Sequence, residues 1–224
     1  KMNNKIKKHM SLFVVCCLLM SGCTTVVVDQ VQHHATELVG GDSIVVIGRR
    51  SGSDYETEPE LISCIGSVLS HGNDGVNVIP ENDFVDTLYP WFEARTAPTH
   101  VKALQRLISY EKIAKIIDNY NVHYIVWVDG NTEKTRGSGS ISWGLSPTGV
   151  ACFGFGTWDN KAEYEASIWD YRTKKLVGKV SSVADGTSYM PAIVVPIPLI
   201  APVQADACKA MGKQLRSFFT TNKS

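Results

Sequence analysis

The sequence predicts an α/β fold: a mixed sheet of about five strands with helices packed on it, preceded by an export signal and a tether. Three observations carry this. Ser43 to Gly48 (Ser-Ile-Val-Val-Ile-Gly) is an unbroken, β-branched apolar run, typical of a strand buried on both faces. Val122 to Val128 (Val-His-Tyr-Ile-Val-Trp-Val) is a second run of that kind, ending at Asp129-Gly130. Between them apolar residues recur at helical spacing, so strands and helices alternate.

The elements follow in order. Thr24 to Gly40 reads as a tether or an added strand, with Val26 to Val28 favouring some order. Arg49 to Glu56 is a polar loop. Thr57-Glu58-Pro59-Glu60 has the form of a capping box with proline in the first turn. Leu61, Cys64, Ile65, Val68 and Leu69 continue it as a helix, closed by Gly72 to Gly75. Val76 to Ile79 is a short strand that completes a βαβ unit. Pro80 and Asn82 open a helical turn carrying Phe84, Val85, Leu88 and Tyr89 inward, stopped at Pro90. Thr99 caps a helix with Val101, Leu104, Leu107 and Ile108, and Ile113, Ile116, Ile117 and Tyr120 mark another. Glu163 to Tyr171 and Lys175 to Ala184 form a hairpin about Arg172-Thr173-Lys174. Residues 203 to 219 are a final amphipathic helix with Cys208, Met211, Leu215, Phe218 and Phe219 on one stripe.

Two stretches do not fit a plain domain. In 138–158, Ile141, Trp143 and Leu145 alternate with small residues, Pro147-Thr148-Gly149 can turn, and Phe153 and Phe155 alternate with Gly154 and Gly156. This reads as a Gly/aromatic hairpin inserted at about 137–158, each arm near the ~9–11 residues that a tilted strand needs to cross a bilayer. Ile141, Trp143, Leu145, Phe153, Phe155 and Trp158 are its candidate partner or membrane contacts; packing on the domain's own core is the alternative. In Tyr189 to Val203, Pro191, Pro196, Pro198 and Pro202 exclude a helix and argue against a regular central strand. Its apolar residues call for a groove, in the same chain or in a neighbour.

The start of the chain carries the address. Lys1, Lys5, Lys7 and Lys8 precede Leu12 to Met20, a nine-residue apolar run too short to span a membrane as a helix but of signal-peptide length. Ser21 and Gly22 follow, then Cys23, so Met20-Ser21-Gly22-Cys23 resembles the bacterial lipobox. That resemblance implies a signal peptide over 1–22, removed before a Cys23 that carries diacylglycerol and a fatty acid. It also implies a tether over 23–40 and a single α/β domain over 41–221. Two or more acyl chains hold a protein firmly to a bilayer. Thr24 is not the Asp associated with inner-membrane retention, which by analogy favours the periplasmic face of the outer membrane.

Without residues 1–22 the chain has 202 residues and a charge of 18 − 22 = −4. No basic tract remains, so nucleic-acid binding has no electrostatic footprint. Beyond Cys23 the mature cysteines are Cys64, Cys152 and Cys208. Cys64 and Cys208 lie on expected helices and are candidates to pair in an oxidising compartment; buried free thiols are the alternative. None has the paired spacing of a zinc site. His33-His34 falls in the tether, His71 shares a turn with Asp74, and His123 opens a strand, each with an ordinary structural explanation. No Gly-x-Ser-x-Gly elbow, His-Glu-x-x-His or phosphate loop is present, and Gly137, Gly139 and Ser140 do not complete a dinucleotide fingerprint. No metal, catalytic residue or cofactor beyond the lipid is expected.

The order of elements over roughly 42–220, with the strand at Val122 to Val128 and the hairpin around Asp170, is similar to a group of envelope lipoproteins. That group includes the curli-secretion channel and the lipoprotein activators of peptidoglycan synthases. The resemblance implies a non-enzymatic binding or assembly module, partnered by an envelope protein or by copies of itself. A subunit of an oligomeric outer-membrane pore is a second expectation. An envelope hydrolase using Cys152 or a serine is a third.

Overall fold

The computed structural model describes residues 24–50, 55–93, 95–146, 149–196 and 200–220; within the strands, the side chains of 141, 143–146, 149–152 and 191–196 fall outside the description. Among the described residues six strands form one mixed sheet and five helices accompany it, the α/β class expected and one strand more than anticipated. In chain order these are β1 (Thr24–Gln32), β2 (Ser43–Gly48), α1 (Pro59–Ser70), β3 (Asn77–Ile79), α2 (Glu81–Thr87), α3 (Val101–Ile108), α4 (Glu111–Asp118), β4 (Val122–Ser146), β5 (Gly149–Asp170), β6 (Lys175–Pro196) and α5 (Val203–Thr220). The order across the sheet is β1-β6-β5-β4-β2-β3. β2 pairs parallel with both β3 and β4.

The chain divides into two compact units. One, called the body here, comprises Val26–Glu133, Ala162–Ala184 and Gln204–Ser224; the other, the ribbon, comprises Lys134–Lys161 and Asp185–Val203, with Thr24 and Thr25 of the described N-terminal residues.

In the body every residue of β2 is buried, as its apolar run demands. Val45, Ile47, Ile125 and Trp127 share a core with Phe84, Leu88 and Phe92, with Leu104 and Ile108 of α3, and with Ile113 and Ile117 of α4. On the other face Val46 lines a cavity together with Ile62 and Gly66 of α1, and the Tyr124 ring lies 5.2 Å from that of Phe219 in α5. This is a layered α/β arrangement. A disulfide joins Cys64 of α1 to Cys208 of α5 across 144 residues of sequence, with Cα atoms 6.2 Å apart.

Several local expectations are corrected. The capping box does not form: Thr57 is buried and its Oγ1 donates to the Val128 carbonyl at 3.3 Å, leaving Glu58 as N-cap of α1 with no side-chain cap. Thr99 likewise turns its hydroxyl to His100 Nδ1 (3.1 Å), and His100 is the N-cap of α3. Tyr89 is 68% exposed rather than inward, because α2 ends at Thr87 and the chain leaves the helix before it. β4 does not stop at Asp129-Gly130. Gly130 has φ +131, and a Cβ there would run into the Glu163 backbone, so glycine lets the strand continue in close contact with β5. Nor do the prolines after Tyr189 prevent a strand: β6 runs through Pro191 to Pro196. Of the two readings of Thr24 to Gly40, a tether or an added strand, the strand holds over the first half: β1 lies against β6 from Thr24 at Gly186 to Val31 at Gly178.

Candidate functional site

The ribbon is built from the lengths of β4, β5 and β6 over 134–146, 149–161 and 185–196. Glycine and serine at Gly137, Ser138, Gly139, Ser140, Gly154 and Gly156 leave little side chain to pack, so extended pairing is what holds it together. Gly139 has φ +134, and a Cβ on it would strike the Phe155 carbonyl; glycine is therefore required for β4 and β5 to meet there. Polar links stitch the strands: Thr187 Oγ1 donates to Asp159 Oδ1 (2.8 Å) and Asn160 Nδ2 donates to Ser188 Oγ (2.8 Å). Ser188 is fully buried and accepts a second bond from the Ala201 N–H at 3.0 Å.

The strand alternation sorts the aromatics. Phe153 (58% exposed) and Phe155 (48% exposed) project on one face, where Phe155 meets Tyr189 at 6.1 Å between ring centroids. Trp158 falls on the opposite parity, half-buried, with Lys134 Nζ 4.9 Å above its ring. Phe153, Phe155 and Trp158 are thus brought into one ribbon but onto two faces. Tyr189 and Lys134 are members that the sequence reading missed; periodicity marks them only once β6 is known to lie beside β5. The side chains of Ile141, Trp143, Leu145 and Cys152 lie outside the described residues, as does Cys23.

The body carries two polar networks instead. At the start of β4 the register with β2 slips, Ser43 pairing with Val122 and Ile44 with Tyr124, so His123 is the extra residue of a bulge. That slip delivers its Nδ1 to Asp42 Oδ2 at 2.7 Å. Arg172 Nη2 reaches Asp42 Oδ1 at 2.5 Å, and Asp170 Oδ2 lies 3.8 Å from His123 Nε2. Burial works to raise the Asp42 carboxyl, but bonds from the Val39 N–H, Arg172 and His123 outweigh it and hold the group below its ordinary range. Being ionised, Asp42 only accepts, so Nδ1 of His123 carries the proton.

Just past the carboxyl end of β2, Arg49 stacks on Tyr55 (4.2 Å) and pairs with Asp129 of β4 (3.6 Å), which accepts from Tyr55 at 2.5 Å. Burial first, then the Asp129 carboxylate, push the Tyr55 phenol up. Glu58 accepts from the Thr132 N–H (2.7 Å) and from Tyr164 (3.0 Å). Glu81 accepts from the Gly48 N–H at 2.8 Å, and burial raises its carboxyl against that bond. These groups bond mainly to one another and fasten the chain that follows β2 to β4 and β5. Among the described residues no group of three or more His, Cys, Asp or Glu is placed to hold a metal, and no helix is long and apolar enough to cross a membrane.

No protein-family model and no curated protein matches the chain. Among solved structures it is similar to the PelC dodecamer from Paraburkholderia phytofirmans, with TM-score 0.38 and 14% identity over 86% of this chain and 96% of that one. A point variant of the same dodecamer in another crystal form gives TM-score 0.36 and 14% identity over 87% and 98%.

Proposed function

We propose that the chain is a lipid-anchored protein on the periplasmic face of a bacterial outer membrane, acting as a non-enzymatic binding or assembly module. The ribbon is the surface it presents, first of all to further copies of itself. The observation that carries this reading is the pair Phe153 and Phe155, two large aromatics on one face of a Gly/Ser-rich sheet, both about half exposed or more. Adjacent exposed aromatics of this kind mark contact surfaces. The anchor rests on the lipobox at Met20 to Cys23.

Two measurements test it. Fatty-acid labelling of cells should mark the native protein and not Cys23→Ser; an unlabelled native protein removes the anchor. Light scattering of the detergent-extracted native protein should show an oligomer, and the double variant Phe153→Ser/Phe155→Ser should run as a monomer with an unchanged circular dichroism spectrum. An unchanged oligomer in the double variant removes the ribbon from the assembly.

A second reading, a subunit of an oligomeric pore, is favoured by strand length: each ribbon strand has twelve or thirteen residues, beyond the ~9–11 that a tilted strand needs to span a bilayer. Ion conductance across lipid bilayers by the purified oligomer, lost in Phe155→Asp, distinguishes it from peripheral assembly.

A further inference from the structure

Charge along the body is sorted by sign. Residues 51–94 hold nine Asp or Glu and no Lys or Arg, whereas residues 95–120 hold five Lys or Arg against two acids. The fold gathers the two runs into one helical layer. Phe84 and Val85 of α2, Leu104 and Ile108 of α3, and Ile113 and Ile117 of α4 enter the same core on one side of β2 and β4. The helical period turns the charged residues between them to solvent. Asp83 and Asp86 on α2, Lys102 and Arg106 on α3, and Lys112 and Lys115 on α4 are all exposed. Glu93, exposed too, extends the acidic strip past α2.

The two strips do not neutralise each other within the chain. Lys115 pairs with Glu111 of its own helix at 2.8 Å, and Lys112 sits 5.5 Å over the Trp91 ring. Asp83, Asp86, Glu93, Lys102 and Arg106 enter no ion pair among the described residues. Like charges held side by side repel, and an opposite strip brought against them relieves that. A partner of one sign would satisfy one strip and be repelled by the other, since both lie on a single layer. The surface that suits both carries both signs, and a second copy of this chain has it.

We propose that in the assembly the acidic strip of one copy, around Asp86 and Glu93, lies against the basic strip of another, around Lys102 and Arg106. This contact rests on the self-association proposed above. Exposed ion pairs are individually weak, so it does not gather the copies by itself. It acts once the ribbon has raised their effective concentration, and it fixes which way they face.

Light scattering of the detergent-extracted full chain, followed on dilution, reads the protein concentration at which the oligomer falls apart. Asp86→Lys/Glu93→Lys turns the acidic strip basic, and Lys102→Glu/Arg106→Glu turns the basic strip acidic. At ~0.1 M salt each variant alone should dissociate at a concentration about tenfold above the native one. Mixed one to one, the two should reassemble at the native concentration, because each supplies the sign the other lacks. A salt arm needs no variant: at ~1 M, where the screening length falls from ~10 Å to ~3 Å, the native chain should dissociate as the single variants do. An oligomer indifferent to salt and to both reversals, or one that the mixture fails to restore, overturns the proposal while assembly through the ribbon stands. A native chain that stays monomeric at every concentration overturns the self-association reading and this contact with it.

Discussion

The body and the ribbon are cut from the same three strands, yet they are held together differently. On β4, Ile125 and Trp127 are at most 1% exposed beneath α2, α3 and α4. On β5, Phe153 and Phe155 stand 58% and 48% exposed. Strand pairing alone does not stabilise a sheet in water; a covered apolar face does. The body has that cover on both faces. In the ribbon the described burial is confined to a small knot of Ser188, Ala201, Val203 and Gly186. A strand's length and its share in a core are therefore separable, and aromatic content alone does not say which residues are core.

Substitutions that treat the two regions alike should therefore produce unequal results. The largest loss is expected from Trp127→Ala, which empties the centre of the body: about 3–5 kcal/mol in urea unfolding of the unlipidated protein. A small loss there would mean that the body's core does not carry its stability. Next is the disulfide. Cys64→Ser/Cys208→Ser opens a link spanning 144 residues and should cost about 2–5 kcal/mol, with the native protein in reductant falling to the same midpoint.

A smaller effect, about 1–2 kcal/mol, is expected from Asp42→Asn, which breaks the charge-assisted bonds to Arg172 and His123. Its pH dependence has a definite sign. The Asp42 carboxyl is held below its ordinary value in the folded protein, so the stabilisation is complete above the unfolded carboxylate pKa of ~4 and disappears as pH falls through the folded value. The gap between native protein and Asp42→Asn should thus be widest near neutrality and close in acid. A gap that widens below pH ~4 contradicts the assignment. The smallest stability change, within about 0.5 kcal/mol, belongs to Phe153→Ser/Phe155→Ser in the unlipidated monomer, since neither ring is in a core. A large loss in that variant would place the ribbon among the structures that stabilise the monomer and erase the contrast.

Much of the body was legible in the sequence, because burial on both faces leaves a continuous apolar signature. Ser43–Gly48 emerges with the bounds its composition implies, and the stripes of α3, α4 and α5 are inward as spaced. The caps were not legible: Thr57 and Thr99 have the right chemistry, but tertiary partners, the Val128 carbonyl and the His100 ring, claim their hydroxyls. The extent of β4, β5 and β6 was also hidden, since Asp129-Gly130 and Pro191 read as strand breakers until the neighbouring backbone is in view. The Asp42–His123–Arg172 cluster depends on a one-residue bulge, for which no local pattern exists.

Pairing that begins at Thr24 has a further consequence. A free leash over the seventeen residues Thr24 to Gly40 would let the folded part wander roughly 23 Å from its attachment point. With the ladder starting one residue past Cys23, that slack shrinks to about a single residue's length, ~3.5 Å. If Cys23 carries the lipid proposed above, the ordered sheet begins one residue from the point of attachment, and little free chain separates the two.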